Sequence, residues 1–302
     1  MNSSSILIIE LWFIPFDILM IICTIIVILI ATIFLIIIIL DKTCHTIIMM
    51  HVANSCLVEL IYAIQLLGVA IFALKNDLQQ IQYQDSLCIF RAYIGYVAYG
   101  MQNYSYLLQA IYRYITVVYP SYLFYQSTRV QGLLICITWI FDIIYPIIYV
   151  IKDQIKYIID DQMCQMPLRF SFYTIYNAIY VYGIPIILIM VIYFKLLRYV
   201  HEMNKHIIPT NILLRAQREL KMIQHIIIIV MILFAIGFPY AIFILMAFFN
   251  SVPKYHFRIA FFFVDTLLVL VMIAIYYFTD PLKQSIMKRI KRRPNVVGII
   301  VI

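Results

Sequence analysis

Charge is what this sequence has least of. Only 12% of its 302 residues are Asp, Glu, Lys or Arg, against about a quarter in soluble globular domains. Glycine and proline are sparse, seven and ten, which excludes low-complexity or collagen-like material. The six cysteines, Cys23, Cys44, Cys56, Cys88, Cys136 and Cys164, form no CxxC pair and no His/Cys zinc spacing. The six histidines are scattered, without the metal clusters or nucleophile–base pattern of a membrane enzyme. Met1 to Glu10 carries no basic n-region, and the first apolar run is too long for a signal h-region. That run is therefore expected to be a membrane helix.

What is present is apolar side chain: 65% of residues are hydrophobic. A spanning helix takes about 20 apolar residues. Seven stretches qualify, roughly 17–40, 47–74, 86–118, 131–151, 171–199, 219–248 and 256–279. They run continuously apolar, where a membrane β-barrel would alternate. The expected fold is an all-α membrane protein, one seven-helix bundle spanning residues 1–302. The net charge of +8 sits between the apolar runs, which favours a basic membrane face over nucleic acid. If the N-terminus is outside, seven of the 22 Lys and Arg lie on the outer side: Lys75, Arg91, Lys152, Lys156, Arg169, Lys254 and Arg258. The other fifteen lie inside, the bias expected of cytoplasmic loops. After the seventh helix, Asp280 can cap and Pro281 can start a short helix over 281–291, with Leu282, Ile286 and Ile290 on one face. Its other face is Lys and Arg, as in a helix lying on the inner leaflet.

The third helix carries the most information. It ends Ile111-Tyr112-Arg113-Tyr114, with Pro120 after it and Cys88 25 residues before Arg113. At about 1.5 Å per residue that separation crosses the hydrocarbon core. Trp139 stands in the fourth helix, Pro185 and Tyr193 in the fifth, Pro239 in the sixth, and Asn54 with Glu59 in the second. In this order and spacing the chain resembles the rhodopsin-like G-protein-coupled receptors over nearly its whole length. Tyr112-Arg113-Tyr114 is similar to the family's Asp/Glu-Arg-Tyr motif, with tyrosine in place of the acid. Departures are equally clear. Gly237 stands where the sixth helix usually has tryptophan, the seventh lacks Asn-Pro-x-x-Tyr, and Tyr276 or Tyr277 is read as its surviving tyrosine.

The resemblance implies a plasma-membrane receptor rather than an enzyme, with no cofactor and no metal. Its implied partners are an extracellular small molecule, lipid or peptide, a heterotrimeric G protein and membrane lipids. It implies a Cys88–Cys164 disulfide over the mouth of a pocket. It implies a switch built from Tyr112, Arg113, Tyr114, Tyr193, Tyr276 and Glu219, the last level with Arg113. Pro185 and Pro239 become hinges, and Glu59 with Gln102 a polar core. Gly95, Tyr96, Tyr99, Asn177 and Tyr240 fall at pocket positions, and Asp265 is a further intramembrane acid expected there. A channel or transporter is the alternative. Transporters show internal repeats or paired broken helices, and neither is evident.

Overall fold

The isoleucines of the first helix fall on two faces. Ile18, Ile22, Ile25, Leu29, Ile33 and Ile36 recur every three or four residues and are exposed, while Met20, Cys23, Val27, Ala31 and Phe34 are buried. A helix apolar all round, with one face buried by protein, has lipid as its other solvent. The computed structural model describes residues 13–79, 83–205, 238–247, 249 and 251–291. Its helices are α1 (Ile14–Leu40), α2 (Ile47–Gln79), α3 (Cys88–Val118), α4 (Thr128–Ile144), α5 (Ile147–Ile151), α6 (Phe172–Asn177), α7 (Ile184–Lys205), α8 (Phe238–Ala247), α9 (His256–Phe278) and α10 (Asp280–Lys291).

Several helices differ from their sequence expectation, each for a local reason. The second runs on past residue 74 to Gln79. The fourth starts at Thr128, where the Ser127 hydroxyl accepts the amide of Val130, and breaks at Tyr145-Pro146 into α4 and α5. Pro146 cannot donate its missing N–H to the helix ladder. The fifth is interrupted by one π turn, Ala178–Gly183, between α6 and α7. Pro185 follows directly and likewise offers no amide to the turn before it. Of the sixth, expected over 219–248, only α8 lies within the described residues, and Glu219 lies outside them.

Among the described residues, five helical segments, Ile14–Leu40, Ile47–Gln79, Thr128–Ile151, Phe172–Tyr199 and His256–Tyr277, are long and apolar enough to cross a membrane. The 31-residue α3 is long enough but too polar to be among them. The reason is its position. It packs against α2, α4, α7, the π turn and both strands of a hairpin, so Gln102, Asn103, Ser105, Gln109 and Arg113 are buried by protein. Inside lipid, helices associate through close packing and interhelical hydrogen bonds rather than through water exclusion.

The hairpin pairs β1 (Lys156–Ile158) with antiparallel β2 (Met163–Gln165), Tyr157 opposite Cys164. A disulfide from Cys88 to Cys164, with 5.5 Å between α-carbons, fixes it to the start of α3. At the opposite end, α10 docks under the α1–α2 turn. Leu282 is buried, and the Ser285 hydroxyl donates to Asp41 Oδ2 at 2.5 Å. Asp280, expected as the cap, is the first helical residue. Thr279 precedes it, and its carbonyl accepts the Lys283 amide at 3.0 Å.

Candidate functional site

Eighteen residues of α3 separate Gly95 from Arg113, about 27 Å of helix. At the Gly95 end a cavity opens between α2, α3, β2, α6, the π turn, α8 and α9. Gly95, Tyr96, Tyr99, Asn177 and Tyr240 line it, as does Gln165 from the disulfide-pinned hairpin. Tyr62, Tyr182, Phe257, Ala260, Phe261 and Val264 complete the wall. Asp265, expected here, is not in the lining. It follows Val264 by about 100° of helical rotation, and its carboxyl is buried within electrostatic reach of Cys23 and Tyr62.

The aromatic rings form an unbroken chain. Tyr62 lies 5.8 Å from Tyr99, Tyr99 5.3 Å from Tyr182, Tyr182 6.4 Å from Tyr240 and Tyr240 6.3 Å from Phe257, centroid to centroid. Their backbone supports are specific. The Tyr96 hydroxyl accepts the Met166 amide at 3.1 Å, and the Tyr145 hydroxyl donates to the Tyr96 carbonyl at 2.7 Å. The Tyr149 hydroxyl donates to Asn177 Oδ1 at 3.4 Å. Gly95 allows α2 close by: a β-carbon there would stand 3.0 Å from Gln65 Nε2.

Below the cavity, polar groups of α2 and α3 meet in a ladder. Glu59 Oε1 accepts from Gln102 Nε2 and from the Tyr106 hydroxyl, both at 2.8 Å. One turn further, Ser55 and Ser105 hydroxyls lie 3.0 Å apart, and Gln109 Nε2 donates to Ser55 at 2.7 Å. Next, His51 Nε2 is 3.1 Å from Gln131 Oε1, and the His51 ring stands 5.3 Å from that of Tyr112. Each interhelical bond in lipid averages about 0.6 kcal/mol, so the ladder acts through its number. Arg113 is buried at its foot, within electrostatic reach of Tyr193 and His51. Tyr114 packs against Tyr119, and Tyr276 stacks on Phe34 of α1. Pro185 stands at the start of α7 and Pro239 near the start of the described part of the sixth helix.

A charged cluster above the cavity had no counterpart in the sequence reading. Arg258, counted there among the outer-side cations, is buried in the first turn of α9. It forms a two-pronged pair with Asp77 of α2, lies 3.8 Å from Asp17 of α1, and donates Nε to the Asp161 carbonyl at 3.2 Å. Asp161 Oδ1 accepts the amides of Phe257 and Arg258. Burial raises the Asp161 carboxyl above the usual range, against the lowering effect of His256 and these amides. The signal was faint: one Asp in a polar loop and two near helix ends, each unremarkable alone. Among the described residues no group of three or more His, Cys, Asp or Glu has metal-holding geometry.

These features can be set beside known proteins. The chain is similar to squid rhodopsin, whose crystal structure superposes with a TM-score of 0.77 at 17% identity, covering 93% of this chain and 86% of that one. At that identity the likeness establishes the fold alone, a seven-helix bundle. No curated protein sequence matches the chain. The model of the family described as "7 transmembrane receptor (rhodopsin family)" matches residues 30–277. The chain belongs to the rhodopsin family of seven-transmembrane receptors.

Proposed function

We propose that this receptor binds an extracellular ligand in the tyrosine-lined cavity and activates a heterotrimeric G protein at the Arg113 end. The observation that carries this reading is that one helix, α3, walls the cavity with Gly95, Tyr96 and Tyr99 and bears buried Arg113 at its far end. Ligand that prefers one packing of the bundle shifts its population by the difference in affinity alone. Going from 1:99 to 99:1 takes about 5.5 kcal/mol.

In this reading Glu59, Gln102 and the ladder below them couple the two ends. Tyr112, Arg113, Tyr114, Tyr193, Tyr276 and Glu219 form the switch, and Pro185 and Pro239 are its hinges. The receptor sits in the plasma membrane with its N-terminus outside. The Lys and Arg bias supports that orientation, and so does a disulfide at the Cys88 end, which needs an oxidising compartment. Expression with a promiscuous G protein and a mixed ligand screen tests the reading. Ligand-evoked calcium release is the expected result, and ion current without any G protein would overturn it.

A further inference from the structure

Among the described residues the cavity wall contains no Asp, Glu, Lys, Arg or His. Its polar groups are tyrosine hydroxyls, one asparagine and one glutamine; the rest is aromatic ring, aliphatic side chain and glycine. We infer that the ligand is uncharged, mostly apolar, and carries an oxygen that hydrogen-bonds to tyrosine. The inference rests on the cavity being the ligand site of the reading above.

Three observations support it. First, a cation or carboxylate moved from water into this wall would lose its hydration and meet no opposite charge, a loss that neutral donors and acceptors do not repay. Second, the nearest charges are already committed. Arg258 is held by Asp77, with Asp17 and Asp161 close by, and Asp161 in turn caps α9. Asp265 and Glu59 lie outside the lining, within electrostatic reach of Tyr62. Third, the wall supplies what a hydroxyl or carbonyl needs. Tyr62 and Tyr240 make no hydrogen bond among the described residues, so their hydroxyls are available at the cavity. The ring chain from Tyr62 to Phe257 presents faces and edges to an apolar or aromatic body.

The test uses the purified full-length receptor in nanodiscs and matched probes differing only in charge. One set is tryptophol, tryptamine and indole-3-acetate. The other is 4-phenylbutanol, 4-phenylbutylamine and 4-phenylbutanoate. Thermal unfolding reports binding by its rise with ligand. The alcohols should raise the melting temperature at concentrations about tenfold lower than their amines or acids. Ala260→Phe and Val264→Phe fill the cavity and should abolish the shift. Tyr62→Phe and Tyr240→Phe remove hydroxyls without adding volume, so they remain informative if the filled variants fold poorly, and should weaken it.

An amine or acid acting at equal or lower concentration overturns the inference, and loss of that action in Asp265→Asn would identify the missing counter-charge. So does an alcohol shift that survives the filled variants and the tyrosine variants alike, or no shift from any probe up to about 1 mM. The readout needs no G protein, so its failure leaves the receptor reading to the signalling assay.

Discussion

The carboxylate of Asp161 accepts the backbone amide of Arg258 at 3.1 Å, and the Arg258 side chain returns a bond to the Asp161 carbonyl. The loop that covers the cavity therefore caps the helix that lines it. The same arginine holds Asp77 of α2 and faces Asp17 of α1. Breaking a buried pair by removing one partner costs about 3–5 kcal/mol, because the other charge stays buried. Arg258→Met should therefore sharply lower the melting temperature of the purified receptor. Asp161→Ala removes a helix cap and should cost about 0.5–2 kcal/mol, with Asp161→Asn between it and wild type. An unchanged melting temperature in Arg258→Met would show that the cluster is dispensable.

The tail helix should release in acid. Ser285, then the amide and hydroxyl of Thr43, bring the Asp41 carboxyl from the usual 3.8 to about 2. A lowered carboxylate pKa contributes stability above its unfolded value and loses it as pH falls through the folded one. Docking of α10 should hold at neutral pH and weaken between about pH 4 and 2. A spin label on α10 would read this, and Ser285→Ala should move the transition upward.

The Cys88–Cys164 bridge closes a long loop, with a sequence separation of 76. Such bridges typically contribute about 2–4 kcal/mol. Cys88→Ser and Cys164→Ser should each lower surface expression, and the double variant should be no worse than either. Non-reducing mass spectrometry that finds both as free thiols at the cell surface would refute the pairing.

Gly100 lets α3 pass close to α4. A β-carbon there would stand 2.8 Å from Asp142 Oδ1 and 3.0 Å from the Tyr145 ring. Asp142 also accepts the Tyr180 hydroxyl at 3.2 Å. Gly100→Val should cost about 1–3 kcal/mol by overpacking, read as a lower melting temperature, and Gly100→Ala less.

Glu219 is proposed to restrain Arg113, since Tyr112 stands where relatives carry an acid. If the restraint is worth about 1.4 kcal/mol, its loss raises a small active fraction tenfold. Glu219→Ala should therefore increase ligand-free signalling at equal surface expression. Basal signalling unchanged in both Glu219→Ala and Glu219→Gln would sink the proposal.

Much of the bundle was legible because lipid imposes a simple rule: a spanning helix satisfies its own backbone and shows apolar side chains. Continuous isoleucine runs read directly, whereas the central position of α3, which buries its polar residues against its neighbours, came from the packing. The Tyr145-Pro146 break and the π turn did not read. A proline in a membrane helix is common, and only its neighbours decide whether the ladder kinks, breaks or widens.

The cavity shows the same division. Gly95, Tyr96 and Tyr99 could be placed by counting back from Arg113 along a single helix. Tyr62 and Tyr182 could not be singled out among 45 Phe and Tyr residues, and Asp265 was expected in a wall from which one helical step removes it. The sequence alone determined the number of membrane spans, because burial in lipid is a property of each segment by itself. The uncharged wall and the Asp17–Arg258–Asp77 cluster were decided only by tertiary structure, because each depends on side chains from separate helices and loops meeting at one point, and no local period encodes where two helices cross.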